Sequence, residues 1–196
     1  MKIAVLAWGS LVWDQRGLGT IGEFKPVGPR LAVEFSRCSR DGRLTLVIDD
    51  FAGVECGTFA ATSAFDKLDL ALLDLWLREG RGGEKRPRDV RDHGRVGFVD
   101  RIAGQASAKA KERHPRAVET IAAWAAERGW DAVVWTALGS NFYDRAGEPF
   151  SVEAAMRYLE TRDEATRDKA LTYIRRAPAE VQTPVRTAVN GRWPEG

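Results

Sequence analysis

The sequence predicts an α+β fold, and three observations lead there. Strand-like apolar runs and alternations dominate residues 2–61. From Phe65 onward the hydrophobic period lengthens to that of a helix, and most later segments keep it. Two further strands, Arg95–Arg101 and Asp131–Leu138, stand among those helices. Strands gathered in one half and helices in the other fit α+β better than the regular alternation of a doubly wound parallel sheet.

Residues 2–8 read as a buried strand because every position after Lys2 is apolar. Residues 14–30 are rich in Gly and Pro and read as a long loop with room for a short strand. Arg30–Ser39 alternates, with Leu31, Val33 and Phe35 on one side and Ala32, Glu34 and Ser36 on the other. The turn Arg40-Asp41-Gly42-Arg43 and the run Leu44–Asp49 complete a hairpin. Val54–Ala61 reads as one more strand. In Phe65–Glu79, Leu68, Leu72, Leu75 and Trp76 fall at helical spacing, and Gly80 with Gly82-Gly83 ends the helix. Pro115–Arg128 is a helix opened by proline and closed by Gly129. Ser151–Thr161 and Asp163–Ala177 are helices, each with a capping residue at its start. Thr183–Gly196 is expected to be an extended tail. The resulting division is an α+β domain over residues 1–145 and a helical C-terminal extension over residues 146–196, packed on the same domain.

Composition narrows the function. The chain has 196 residues, 44% hydrophobic and 30% charged, with a net charge of +2. That balance is ordinary for a globular protein and too mild for a nucleic-acid partner. No apolar stretch approaches the ~18 residues of a membrane span, and Met1-Lys2 before a short apolar strand does not form a signal peptide. A cytoplasmic protein with no membrane partner is expected. Cys38 and Cys56 are the only cysteines, lack metal spacing, and read as small core side chains in a reducing compartment. The oligomeric state is not encoded legibly, and a homodimer stays open.

Several motifs have ordinary explanations. Gly17-Leu18-Gly19-Thr20-Ile21-Gly22 matches G-x-G-x-x-G, but a dinucleotide fingerprint must open a helix and Pro26 and Pro29 follow too soon. Ser10 lacks both glycines of a nucleophile elbow. His93 and His114 are not spaced as metal ligands and are expected in loops or at the surface. The segment Arg78–Arg95 is net basic, which suits a solvated loop better than an anion site. No metal or other cofactor is implied.

Two features hold more promise. Ile3–Trp13 is a strand that stops at Gly9-Ser10, where glycine lets a ligand approach the backbone. Leu77-Arg78-Glu79-Gly80 puts a carboxylate at a helix C-terminus, where the macrodipole disfavours negative charge, so some other gain must hold it there. Glu34 is the best alternative carboxylate; its alternating strand places it on the face expected to be wet.

Trp8-Gly9-Ser10-Leu11 and Leu77-Arg78-Glu79-Gly80 together resemble the γ-glutamyl cyclotransferase-like superfamily, with the nearest likeness to its ChaC-type members. Those open with a Y-G-S-L loop after the first strand and carry an R-E motif near this spacing. The likeness runs over residues 1–140 in order of elements. The resemblance implies a small barrel-like mixed sheet with flanking helices, and a lyase or acyl-transfer reaction of glutathione metabolism that turns a γ-glutamyl amine or peptide into 5-oxoproline. It implies Glu79 as catalytic acid/base and Trp8, Gly9, Ser10 and Leu11 as substrate-binding residues, without cofactor. Trp8 departs from the family tyrosine, keeping a ring and losing the hydroxyl. A non-catalytic member of the same fold that binds a small metabolite or a protein is the alternative, and amide hydrolysis in the same pocket is a third reading.

Overall fold

A computed structural model describes residues 1–79, 90–91 and 93–194. The expected helix-ending Gly80 and Gly82-Gly83, and most of the basic segment before Arg95, lie outside the described residues. The fold is α+β, with two sheets, and among the described residues seven α-helices. The chain divides into two compact units, one of Met1–Arg30 with Gly57–Leu138, the other of Leu31–Cys56 with Gly139–Gly196. The sequence division kept residues 31–56 with the N-terminal domain; their strand partners and helices assign them to the second unit.

The first unit is built on a six-stranded sheet of order β2-β6-β1-β9-β7-β8. Its strands are β1 (Ile3–Ala7), β2 (Thr20–Lys25), β6 (Phe59–Ser63), β7 (Val96–Asp100), β8 (Gln105–Ala106) and β9 (Ala132–Thr136). β1 runs parallel to β9, with Ile3 opposite Ala132, and antiparallel to β6, with Ala7 opposite Phe59. The sheet keeps free edges at β2 and β8, so it is open and does not close into the expected barrel. Helix α1 (Leu68–Glu79) buries Leu68, Ala71, Leu72, Leu75 and Trp76, the stripe that a 3.6-residue period lines up. These pack in one cluster with Val5, Ala7, Val96, Phe98 and Val134. Leu6, Val99, Val133 and Trp135, of opposite parity, are buried as well. Both faces of the central strands are therefore covered, which is why β1 and β9 read as unbroken apolar runs. At Gly97 in β7 the Trp135 indole lies so close that an added Cβ would sit 2.6 Å from its Cε2.

Short helix α2 (Ala108–Arg113) and helix α3 (Pro115–Glu127) meet at His114, which closes the first and opens the second. His114 is buried, not in an exposed loop as expected, because the junction of two helices that each bury a face leaves it inside. The predicted strand over 54–61 breaks in two. Thr58, buried, donates its hydroxyl to the Pro29 carbonyl at 2.5 Å, and its own carbonyl accepts from Gly28 at 3.0 Å. These bonds divert Thr58 from a continuous ladder and separate β6 from the preceding strand.

The second unit holds a three-stranded antiparallel sheet of β4 (Leu44–Ile48), β3 (Leu31–Cys38) and β5 (Val54–Cys56), in that order. The hairpin register pairs Val33 with Ile48 and Cys38 with Leu44. Its helices are α4 (Phe142–Ala146), α5 (Val152–Glu160), α6 (Glu164–Arg175) and α7 (Pro184–Arg192). Ser151, Asp163 and Thr183 cap the last three through their side chains. Helix α7 replaces the extended tail expected over 183–196, because Thr183 accepts the Arg186 amide and Pro184 presets the first turn.

Glu34 corrects a further expectation. It is completely buried rather than on a wet face. One oxygen accepts the Phe35 amide at 2.7 Å and the other the Val185 amide at 3.4 Å, so the carboxylate supplies an acceptor to the first turn of α7. Burial pushes its carboxyl above the ordinary range, partly offset by the hydrogen bonds from Thr183, Phe35 and Val185. Cys38 and Cys56 are buried, as expected of small core side chains.

Candidate active site

Past β1 the chain enters a single 3-10 turn, Ser10–Val12. Its internal bonds run from the amides of Val12, Trp13 and Asp14 back to the Gly9 and Ser10 carbonyls. The amides of Gly9, Ser10 and Leu11 precede those donors and take no part in the turn's own ladder. The side chains of Trp8 and Leu11 are buried, Leu11 in the cluster beneath α1. Gly9 and Ser10 are half-buried.

Glu79 is the last residue of α1, and Arg78 beside it joins the two regions. The Arg78 Nη1 donates to Glu79 Oε1 at 2.7 Å, while Nη2 donates to the Asp14 carbonyl at 2.6 Å and, more loosely, to Ser10 Oγ at 3.4 Å. The side chains of Arg78 and Glu79 are 6% and 15% exposed, so this is an ion pair sheltered from water. From the turn before β7, Arg95 donates Nη1 to the Glu79 carbonyl at 2.7 Å. Two guanidinium groups thus answer the helix-end problem: one offsets the carboxylate, the other takes a carbonyl that α1 leaves without an intrahelical partner. Arg95 also lies near the Trp76 ring, with its Cζ 6.0 Å from the centroid, and the His93 ring meets Trp76 edge-on at 5.8 Å. Among the described residues, Arg78 Nε, Arg95 Nε and Trp76 Nε1 are buried without hydrogen-bond partners.

Farther back along α1, Asp74 accepts the Gly19 amide at 2.8 Å. Burial raises the Asp74 carboxyl above its ordinary value, against the opposing pull of that amide. A Cβ at Gly19 would sit 2.9 Å from Phe65 Cε2, so any side chain there would displace that ring. The G-x-G-x-x-G string runs into β2 and opens no helix, and of its glycines Gly19 alone is closely packed. Ser10 bonds Arg78 and not a histidine, which removes the serine–histidine pairing that a nucleophile would need. No group of three or more His, Cys, Asp or Glu suited to a metal occurs among the described residues. No helix among them is long and apolar enough to cross a membrane. A separate hollow of about 360 Å³ is lined by Arg91, Phe98, Gln105, Ser107 and Lys111, and neither Glu79 nor the 9–11 turn borders it.

No protein-family model, curated protein or solved structure matches this chain. The site is therefore read from its own residues. Sequence reasoning singled out Glu79 and the Gly9-Ser10 break, and Arg78 draws the two together. It missed the parts of Arg78 and Arg95. The only available signal was the adjacency of Arg78 to Glu79, because the chain says nothing of where a guanidinium will land.

Proposed function

We propose that the chain is a γ-glutamyl cyclotransferase-like enzyme, converting a γ-glutamyl amine or peptide into 5-oxoproline and a free amine. The observation that carries this reading is the Arg78 bridge, which puts Glu79 one guanidinium away from Ser10. The substrate's α-amine and γ-carbonyl belong to one molecule, so ring closure is intramolecular and the protein mainly holds a folded conformer. Such positioning contributes on the order of 7–11 kcal/mol. Glu79 takes a proton from the α-ammonium. The amine attacks the γ-carbonyl, a new C–N bond forms, and the tetrahedral oxyanion is stabilised by amides of the 9–11 turn. Glu79 returns this proton to the departing nitrogen as the original C–N bond breaks, and a second proton, shed by the attacking nitrogen once bonded to the carbonyl carbon, follows through the same carboxylate, so the lactam keeps one N–H and the amine leaves as an ammonium. The balance needs no water, oxidant or covalent nucleophile.

Glu79→Gln tests the assignment. The variant keeps the shape of the side chain, is expected to fold, and should lose about 10²–10⁴-fold in turnover. Turnover equal to that of the wild type removes Glu79 from the chemistry. A second reading, a non-catalytic binder of a small metabolite, draws on the Glu79–Arg78 ion pair and on the buried tryptophan at position 8. Saturable binding of a γ-glutamyl compound without 5-oxoproline release would favour it. A product one water heavier than 5-oxoproline would instead indicate amide hydrolysis.

A further inference from the structure

Arg78 does more than neutralise its neighbour. Residues i and i+1 of a helix point about 100° apart and do not ordinarily face each other. A 2.7 Å contact between Arg78 and Glu79 therefore requires the guanidinium to be drawn over the end of α1. What draws it is the Ser10–Asp14 turn, through the 2.6 Å bond to the Asp14 carbonyl and the longer one to Ser10. Arg95 fixes the same residue from the other side, by its backbone carbonyl. Glu79 is thus held at two points, the Oε1 atom and the main chain.

We propose that Arg78 is a positioning residue that binds Glu79 Oε1 and the Ser10–Asp14 turn into one unit, leaving Oε2 as the oxygen that carries the proton. This rests on the cyclotransferase-like reading of the site. Oε1 is occupied by a donor that itself never gives up its proton, so the guanidinium does not compete for the transfer. The Arg78 contact engages Oε1 and not Oε2. A planar fork is needed because the two anchors are approached by different nitrogens. An ammonium presents a single point charge and holds one anchor well at best.

The experiment compares the full-length wild type, Arg78→Lys and Arg78→Ala. Steady-state release of 5-oxoproline from γ-glutamylglycine is measured with and without added guanidinium ion. Amide hydrogen exchange over residues 10–14 is followed in the same samples. The expected result is a fall in kcat of about 10²-fold for Arg78→Ala with a much smaller change in KM, since misplacement of the reacting groups by about 1 Å has that effect. Added guanidinium should restore part of the loss in Arg78→Ala and none in Glu79→Gln. Exchange at residues 10–14 should quicken in both Arg78 variants. A purely structural arginine would lower the melting temperature and leave kcat per folded molecule unchanged, and that result overturns the proposal. If Arg78→Ala does not fold, the kcat and exchange of Arg78→Lys decide in the same way. Absence of turnover in the wild type would refute the cyclotransferase-like reading and, with it, the role in proton transfer. The clamp is judged separately by exchange, and unchanged exchange at 10–14 overturns it.

Discussion

Gly97→Ala is the most direct test of how β7 packs against β9. Gly97 lies opposite Trp135 on adjacent strands, and Trp135 is fully buried. A methyl group at position 97 would meet Cε2, Cζ2 and Nε1 of the indole at 2.6, 2.8 and 2.9 Å. Non-bonded carbons settle at about 3.5–4.0 Å, so the overlap is roughly 1 Å against three atoms of a rigid ring. Replacing a strand glycine by alanine otherwise gains about 0.5–1 kcal/mol of chain entropy. Overpacking costs about 1–3 kcal/mol, and the rigid ring with no room to withdraw favours the upper end. The net expectation is a loss of about 2 kcal/mol, or a melting temperature lower by about 4–8 °C for a chain of this size. Thermal and urea unfolding measure it, with Trp135→Phe as the second arm. Phenylalanine lacks the atoms that clash, so the double variant should be more stable than the sum of the singles by on the order of 1 kcal/mol. A melting temperature unchanged or raised in Gly97→Ala, or strict additivity with Trp135→Phe, would refute the packing argument. The consequence reaches the site because Arg95, which holds the Glu79 carbonyl, stands two residues before Gly97.

Two further outcomes concern the second unit. The Glu34 carboxyl titrates above its ordinary value of 4.5 in the folded chain, with Asp49 adding to the rise. The folded state therefore binds this proton more tightly than the unfolded one, and the associated stability is full below the ordinary carboxylate range and is lost as pH rises through the elevated value. Urea unfolding from pH 4 to pH 7 should show that decline in the wild type and a flatter dependence in Glu34→Gln; identical slopes would contradict it. Thr183→Ala removes the α7 cap and should cost about 1 kcal/mol, with faster amide exchange over residues 184–192 than elsewhere in the unit.

Much of the architecture could be read from local pattern. The hairpin of β3 and β4 announces itself by alternation around a Gly-containing turn, and α1 by the helical spacing of Leu68, Leu72, Leu75 and Trp76. The failures share one cause, a partner distant in sequence. Between Val54 and Ala61 only Gly57 hints at the break at Thr58, whose cause is a hydrogen bond to Pro29. Glu34 read as a wet strand residue because the helix that covers it was itself unread, hidden in a polar stretch whose only cue was Thr183-Pro184. The site followed the same division. Gly9-Ser10 and Glu79 stood out through a broken strand and a misplaced charge, whereas Arg95 stood in a stretch of many like charges and nothing distinguished it.

The interleaving of the two units along the chain has a consequence for synthesis. As the polypeptide emerges from the ribosome, β1 appears first yet waits for Ala132–Thr136 before its parallel neighbour exists. The hairpin of Leu31–Ile48 emerges next and stays without its helical cover until residues 139–192 have been translated. A nascent chain halted near residue 138 would hold every strand of the larger sheet while leaving Leu31, Val33, Phe35 and Ile48 unshielded. Such an intermediate is a natural client for a chaperone, and a prematurely terminated product of that length should precipitate.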